Sequence, residues 1–298
     1  MSRFHGILVI DKPAGWTSHD VVGWTRRWLG QKKVGHAGTL DPAATGVLPI
    51  VVGDATRFVE YLAEATKSYL AEITFGIETD SADADGVVIE DRRPVDVDLA
   101  ALEAVLPTFR GEIEQRPPMH SAIKVGGKRL YELARRGESI DVPTRVVVVD
   151  RLDLVDLTED VATVAVGCSK GTYIRSLAKD IGAALGTGAY LSNLVRKRTG
   201  PFSLCDAWSV HELAEHPAEL VWPLIAERAD AAVGHMRALV LRDDQTDDWH
   251  AGRLVAVEGI DAHGPVRVYG PGGGFAGVGQ ATDDLRAYHP AKVLHQAA

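Results

Sequence analysis

The chain has 298 residues, 46% of them hydrophobic and 24% charged, and its formal net charge is −9. This balance excludes wholesale disorder, and the length predicts about two globular domains. The sequence has no apolar run near the roughly 18–20 residues of a membrane span and no signal-peptide pattern, so we expect a cytoplasmic protein. It has only two cysteines, so we expect neither a disulfide framework nor a structural zinc site.

Apolar spacing and turn residues divide the first two hundred residues into strands and helices. In chain order, the predicted elements are a strand over 6–10, a helix over 19–29 capped by Ser18 and ended by Gly30, an apolar strand from Val47, a helix through Leu62 capped by Asp54, a strand over 69–75, a helix over 97–106, two paired strands over 146–149 and 161–166, and a helix over 172–185. Several strands follow one another directly, which favours an α+β fold with a mixed, mainly antiparallel sheet.

The C-terminal part of the chain is predicted to form a second, smaller domain. Beyond an acidic helical stretch, short β-like runs alternate with glycine turns, a pattern typical of a small β-barrel. These runs cover 237–241, 254–257, 265–269 and 275–278. We therefore expect a larger domain over 1–228 and a β-barrel domain over 229–298.

The charge is unevenly distributed along the chain. Residues 170–200 contain six basic side chains and one acidic one, whereas residues 205–250 contain three basic and ten acidic ones. Because the local field attracts a polyanion into a cleft, an acidic total does not exclude a nucleic-acid partner. A basic stretch can equally be a solvated face, so charge permits such a partner without identifying it.

The densest group of special residues lies between Gly35 and Gly46. Asp41 followed by Pro42 is typical of a helix N-cap, and for the pair taken alone we favour that interpretation. The functional alternative makes Asp41 a carboxylate that a constrained loop presents as a nucleophile or base. His36, taken alone, is most simply an ordinary loop histidine.

Residues 35–49, with the sequence GHAGTLDPAATGVLP, closely resemble the signature loop of the TruB family of tRNA pseudouridine synthases. Further segments resemble family motifs in the same order, and the resemblance covers residues 6–200. These segments are 6–13 (GILVIDKP), 67–69 (KSY), 79–86 (TDSADADG), 117–124 (PPMHSAIK), 128–132 (KRLYE) and 169–175 (SKGTYIR). The family implies a pseudouridine synthase catalytic domain over 1–228, followed by a PUA-like RNA-binding domain over 229–298.

The resemblance implies that the protein isomerises uridine 55 in the T arm of tRNA to pseudouridine by flipping the base, cleaving the glycosidic bond and forming a C–C bond. No redox change or phosphate transfer occurs, so no cofactor and no metal are expected. The essential carboxylate falls on Asp41, identified as the nucleophile, although a carboxylate can also assist proton removal from the sugar. The expected partner is the tRNA T stem-loop, with no membrane, obligate protein or guide RNA, and the protein is expected to be a monomer.

The other site residues follow from the same resemblance. Four positions match an apolar or aromatic pocket: His36 fills the space of the flipped nucleotide, Tyr69 stacks on the uracil and also counts as catalytic, and Tyr173 and Leu194 line the pocket. Arg175 pairs with Asp41. On a regular helix Tyr173 and Arg175 would point about 200° apart, so a shared pocket requires an extended or irregular backbone there. Further residues predicted to bind the substrate are Lys12, Lys124 and Arg129, the last two in a mobile flap over about 117–143.

Two other functions remain open. The protein could be an RNA-folding factor whose output is the refolding of the tRNA elbow. It could also be the subunit of a guide-RNA-dependent synthase, although the absence of lysine-rich tails disfavours this. A calcium-loop interpretation of residues 81–92 fails, because Ser81 and Arg92 stand where the motif requires acidic residues.

Overall fold

The computed structural model describes residues 3–118, 121, 124–125, 128–129, 140, 142–257, 264–283 and 286–294. A ten-stranded sheet dominates this part of the chain, and a five-stranded sheet follows it. The strands up to residue 209 are β1 (Gly6–Lys12), β2 (Val34–His36), β3 (Thr45–Val52), β4 (Lys67–Phe75), β5 (Ile77–Thr79), β6 (Val88–Asp91), β7 (Gly111–Gln115), β8 (Lys124–Val125), β9 (Lys128–Arg129), β10 (Arg145–Thr158), β11 (Val161–Cys168), β12 (Ala189–Thr199), β13 (Phe202–Ser203) and β14 (Trp208–Ser209).

Short helices connect the strands and cover the large sheet. The α-helices are α1 (Ser18–Leu29), α2 (Val59–Glu64), α3 (Leu99–Val105), α4 (Ile174–Ala184), α5 (Val210–Ala214), α6 (Ala218–Ile225) and α7 (Asp243–His250). Turns of 3₁₀ helix lie at Gly53–Phe58, Leu106–Phe109, Leu204–Asp206 and Ala229–Val233. Among the described residues, no helix is long and apolar enough to cross a membrane.

The large sheet has the strand order β14-β1-β3-β12-β4-β11-β10-β7, with β2 paired to β3 and β13 to β12. Of the neighbouring pairs on this path, β1–β14 and β3–β12 are parallel and the others are antiparallel. The predicted α+β fold with a mixed, mainly antiparallel sheet is therefore confirmed. The predicted pairing of 146–149 with 161–166 is correct only in part, because residues 145–149 lie mainly opposite β7.

Strand β12 is the central feature of this sheet for the site. It lies between β3 and β4, so that Arg196 faces Gly46 on one side and Tyr69 on the other. Gly46 has a φ of +100°, and a Cβ atom there would lie 2.3 Å from the carbonyl oxygen of Arg196. Only glycine permits this approach, which joins the end of the loop over 37–44 to the middle of the sheet.

Helix α1 begins at a capping box that the sequence prediction placed one residue too late. The Thr17 side chain accepts a hydrogen bond from the Asp20 amide, and the Asp20 carboxylate accepts one from the Thr17 amide. Ser18, the predicted cap, is the first helical residue, and its hydroxyl hydrogen-bonds the backbone of Leu40 instead. The predicted helix end is confirmed, because Gly30 is left-handed with a φ of 58°.

Two further helix predictions need correction. Asp54 does not cap a helix, because it lies within a 3₁₀ turn and its carboxylate pairs with Lys33 at 2.5 Å. Helix α4 begins at Ile174, two residues later than predicted, because Tyr173 has an extended backbone. The apolar stripe predicted along this helix is confirmed, since Leu177 and Ile181 are fully buried in the core beneath the large sheet.

The second sheet has the order β15-β17-β18-β19-β16 and includes one strand that the sequence analysis missed. Its strands are β15 (Arg237–Val240), β16 (Val255–Ala256), β17 (Pro265–Tyr269), β18 (Phe275–Ala281) and β19 (Ala287–Val293), the last being the missed one. Trp249 of α7 is fully buried in its core. Phe275 packs on Phe58 of the first part of the chain, with ring centroids 5.1 Å apart, so the two sheets share a second apolar cluster.

Candidate active site

The loop over 37–44 links β2 to β3 and presents Asp41 to solvent. The Asp41 side chain is 43% exposed. The amide of Ala44 donates to the Asp41 carbonyl oxygen at 3.1 Å, which closes a turn and not a helix. The interpretation of Asp41 and Pro42 as a helix N-cap is therefore wrong, because the chain passes from this turn straight into β3.

Buried polar groups anchor this loop close to Asp41. The Ser18 hydroxyl donates to the Leu40 carbonyl at 3.1 Å and accepts from its amide at 2.9 Å. The Lys12 ammonium donates to the carbonyl oxygens of Pro13, Trp16 and Pro42 at 2.8, 2.6 and 3.0 Å. Asp41 thus lies between two residues, Leu40 and Pro42, whose backbone is fixed by these bonds. Lys12 is fully buried, and its burial lowers the pKa of its ammonium group to about 8. Its contact with the substrate stays a prediction.

Arg196 anchors the same loop from the sheet. Its side chain reaches backbone carbonyls on both sides of Asp41: Nη2 donates to Gly38 at 3.1 Å, Nη1 to Thr39 at 3.2 Å and Nε to Val47 at 2.7 Å. The residue is only 1% exposed. The sequence analysis did not assign it, because it lies in an ordinary strand pattern with Leu194.

An ion-pair network surrounds the Asp41 carboxylate. Arg175 Nε lies 3.1 Å from Asp41 Oδ2, and Arg175 Nη1 lies 3.1 Å from Asp83 Oδ2 and donates to the Ser81 carbonyl at 3.3 Å. The Asp83 carboxylate also accepts from the Ser81 hydroxyl at 2.5 Å and the Asp85 amide at 3.2 Å. Asp83 therefore holds the Arg175 guanidinium in place. Its segment matched a family motif, but the sequence analysis gave it no role.

Opposing effects act on the charge of Asp41. Desolvation by the surrounding protein raises the pKa of its carboxyl group, and Asp83 and Asp85 add to this effect. Arg175 and Lys12 lower the pKa by stabilising the ionised form. A carboxylate held in this balance, and still reachable from solvent, is chemically suited to act as a nucleophile or base.

The backbone at Tyr173 is extended just before α4 begins. Its φ is −100° and its ψ is 109°. A shared pocket of Tyr173 and Arg175 requires such a non-helical backbone, and the place of Tyr173 in the pocket stays a prediction. Gln115, which is fully buried, fixes this backbone by accepting from the Tyr173 amide at 3.0 Å and donating to its carbonyl at 3.2 Å. The Arg145 guanidinium lies 5.3 Å from the centre of the Tyr173 ring.

Two further aromatic residues adjoin the loop. Tyr69, on β4, is 8% exposed, packs in the main core and lies opposite Arg196 of β12. Burial raises the pKa of this phenol. The His36 ring lies edge-on to His19 with centroids 5.2 Å apart. Burial, together with His19 and Arg196, lowers the pKa of His36 to about 4, so this imidazole is neutral at pH 7.

Three other predicted residues have less defined surroundings. Leu194 lies on β12 beside Ala71 of β4, partly buried against the core. The Lys124 and Arg129 backbones pair across β8 and β9, but their side chains, like most of the predicted flap over 117–143, lie outside the described residues. In the described ranges, no group of three or more His, Cys, Asp or Glu side chains is placed to hold a metal ion.

Comparison with known proteins gives consistent matches along the chain. The family model described as TruB family pseudouridylate synthase (N terminal domain) matches residues 26–174. The tRNA pseudouridylate synthase B C-terminal domain matches 175–222, and the C-terminal model of pseudouridine synthase II TruB matches 238–286.

Individual proteins are similar to this chain over most of their own length. The tRNA pseudouridine synthase B of Stutzerimonas stutzeri is 42% identical over 94% of this chain and 93% of its own, and that of Symbiobacterium thermophilum is 50% identical over 76% of both chains. Among solved structures, a Cbf5-Nop10-Gar1 complex contains a chain that is 28% identical, with a TM-score of 0.77 over 97% of this chain and 84% of that one. A chain in an H/ACA RNP bound to a substrate RNA is 27% identical, with a TM-score of 0.75 over 98% of this chain and 85% of that one.

Proposed function

The chain belongs to the TruB family of pseudouridine synthases, and on that basis we propose that it isomerises uridine 55 in the T arm of tRNA to pseudouridine. The observation that carries this proposal is the ion pair between Asp41 and Arg175, set in a loop that has the family signature. Relatives named tRNA pseudouridine synthase B support tRNA as the substrate. Asp41 and Arg175 both lie in segments that resemble family motifs, 35–49 and 169–175.

Asp41 acts as the nucleophile in the proposed mechanism. Arg175, at 3.1 Å, favours the ionised carboxylate that a nucleophile must be. The N1–C1′ bond of the uridine breaks, the uracil rotates, and a C5–C1′ bond forms while the C5 proton leaves and N1 gains a proton. Product and substrate have the same atoms, so the reaction balances without an oxidant, a reductant or a group donor.

The aromatic residues accommodate the flipped nucleotide. A uridine inside a folded T loop must leave its stack before a side chain can reach the sugar. Tyr69 stacks on the extruded uracil, a contact worth about 1–3 kcal/mol, while Tyr173 and Leu194 line the pocket. His36, neutral at pH 7, fills the space the base has left without placing a buried charge against the remaining bases.

The rest of the chain serves RNA binding. We assign residues 1–228 to the catalytic domain and 229–298 to a PUA-like RNA-binding domain. Lys12, Lys124 and Arg129 contact the RNA, the last two from a flap over 117–143. We also propose that the protein acts as a monomer in the cytoplasm without a guide RNA or protein partner; the ion pair of Asp41 and Arg175, which come from one chain, supports the monomer. The test is the activity on naked tRNA of purified protein that light scattering shows to be monomeric.

Asp41→Asn tests the function most directly. Purified protein is incubated with unmodified tRNA, without cofactor or metal, and pseudouridine is mapped by carbodiimide-blocked reverse transcription. We expect modification at position 55 with the wild type, none with Asp41→Asn, and similar RNA binding for both. Asp153→Asn is the matched control, because Asp153 is 46% exposed and also pairs with an arginine, Arg110, away from the loop. Substantial turnover by Asp41→Asn contradicts the proposal.

A further inference from the structure

We infer that Arg196 is a positioning residue of the proposed reaction: it fixes the loop that presents Asp41 at a set distance from Tyr69, its neighbour across the strands. The inference deepens the proposed function and rests on it. Arg196 does not reach the Asp41 carboxylate, which pairs with Arg175. Its influence on the chemistry is therefore indirect, through the backbone that carries Asp41.

The guanidinium spans the loop from both sides. Gly38 and Thr39, which precede Asp41, receive hydrogen bonds from Nη2 and Nη1, and Val47, which follows it, receives one from Nε. A planar guanidinium can direct several donors along fixed vectors, whereas an ammonium group is a single point with rotating donors. Arginine is therefore the side chain that can define the distance between the two ends of this loop.

The backbone of Arg196 reinforces the same junction. Arg196 pairs with Gly46 in the parallel ladder between β12 and β3, and a Cβ atom at Gly46 would collide with the Arg196 carbonyl oxygen at 2.3 Å. Gly38, at the other end of the loop, has a φ of +98°, and a Cβ atom there would make an ordinary contact with Arg196 Nη1 at 3.6 Å. The loop thus closes on Arg196 at Gly46, where only glycine fits, and lies against its guanidinium at Gly38.

Stability alone does not account for a charged group at this position. Among the described residues, Arg196 has no carboxylate within ion-pair distance, and its hydrogen-bond partners are three backbone carbonyl oxygens. Lys12 and Lys67, both buried, lie close enough for the Arg196 charge to lower their pKa values. Burying a cation beside other cations is costly, because no opposite charge compensates for its lost hydration. The structure thus keeps a costly group where it orders the loop.

Tyr69 links this residue to the substrate pocket. Arg196 and Tyr69 are directly opposite each other across β12 and β4. The ring proposed to stack on the uracil and the side chain that anchors the loop of the proposed nucleophile therefore lie at the same position of the sheet. A shift of the guanidinium changes the distance between base and carboxylate, and a misplacement of about 1 Å can cost about 100-fold in rate.

Arg196→Lys and Arg196→Met test the inference. For each variant the melting temperature, the RNA dissociation constant and the single-turnover rate constant are measured, the last with enzyme in excess and at a temperature where the variant is folded. With enzyme in excess, an unfolded fraction leaves the rate constant of the folded fraction unchanged. We expect a fall of about 10-fold for Arg196→Lys and about 100-fold for Arg196→Met, with dissociation constants within about 3-fold of the wild type.

Arg110→Met is the control. Arg110 also donates twice to one backbone carbonyl, that of Leu152, at 3.0 and 2.7 Å, but it lies at the far edge of the sheet. We expect it to lower the melting temperature and leave the rate constant unchanged. Folded Arg196 variants with wild-type rate constants overturn the inference, and if Arg196→Met does not fold, Arg196→Lys decides alone. If the wild type makes no pseudouridine, the proposed function itself is contradicted. This result is distinct from a failure of the inference, which is judged by the rate constants of the variants relative to the wild type.

Discussion

Replacing Arg175 with methionine removes the cation from the Asp41 carboxylate while keeping most of the side-chain volume. The pKa of Asp41 is already raised by desolvation, and Arg175 opposes that effect. Its removal must therefore raise the pKa further. Because the nucleophile is the ionised form, the acid limb of the rate against pH moves to higher pH.

The contact distance and exposure set the size of this shift. A hydrogen bond to a charged group contributes about 1.5–3 kcal/mol. Since the Asp41 side chain is 43% exposed, solvent screens the pair and the lower value applies. About 1.5 kcal/mol corresponds to about one pKa unit.

The assay is a series of single-turnover rate constants between pH 4 and 8 with saturating enzyme and a T-arm stem-loop. Arg175→Met should shift the acid limb upward by about one pH unit and also lower the plateau, because the carboxylate loses its orientation. Arg175→Lys keeps the charge and should show the smaller shift. An acid limb of Arg175→Met that coincides with that of the wild type, or lies below it, refutes the reasoning.

The same substitution also affects folding, through Asp83. This carboxylate is only 14% exposed and pairs with the Arg175 guanidinium. Breaking a buried pair by removing one partner costs about 3–5 kcal/mol. The double variant Arg175→Met/Asp83→Asn should regain part of that loss in urea unfolding, since no buried charge is left unpaired. In the pH series the double variant should show a smaller upward shift than Arg175→Met, because Asp83, which raises the pKa of Asp41, is neutralised as well.

Three further substitutions have definite expected outcomes. Burial lowers the pKa of His36 from 6.5 to about 4, so the unfolded state binds the proton first and the free energy of unfolding falls as the pH decreases from 6.5 to 4. His36→Phe should make this fall smaller in denaturant titrations. An unchanged fall contradicts the lowered pKa of His36. Trp249→Phe removes the 2.9 Å hydrogen bond to the Ala276 carbonyl and should cost about 1–3 kcal/mol of stability without changing the rate constant. Gly46→Ala, at a φ of +100° and against the Arg196 carbonyl, should lower stability by more than about 1 kcal/mol and reduce single-turnover activity; wild-type values for both would show that the loop tolerates the shift.

Local patterns were sufficient for much of the fold. The stripe of Ile174, Leu177 and Ile181 identifies the buried face of α4, and Gly30 marks the end of α1, because both depend on residues within a few positions. The cap of α1 was misplaced since Thr17 and Ser18 have the same capping chemistry. Asp20 selects Thr17 through the capping box, and the distant Leu40 engages Ser18.

The site depends on contacts that no local pattern contains. Asp83 meets Arg175 across 92 positions, and Arg196 meets Gly38 across 158. Arg175 lies on α4 and Asp83 on a loop bridged to Leu191 of β12, while Arg196 reaches the loop of Gly38 from β12 itself. Both contacts depend on how distant segments are arranged around β12, which the alternation of apolar residues does not determine. The signature loop identified Asp41 through the family resemblance, whereas its residues taken alone favoured a helix cap that the structure does not have.

The carboxylate of Asp41 is attached to the middle of the ten-stranded sheet, where β12 has a neighbour on each side. The loop that carries Asp41 is tied to this support by Arg196, so it is held more firmly than a peripheral loop. Substitutions at the sheet edges or in the C-terminal sheet leave this support in place. Relatives can therefore diverge at those positions without displacing the carboxylate.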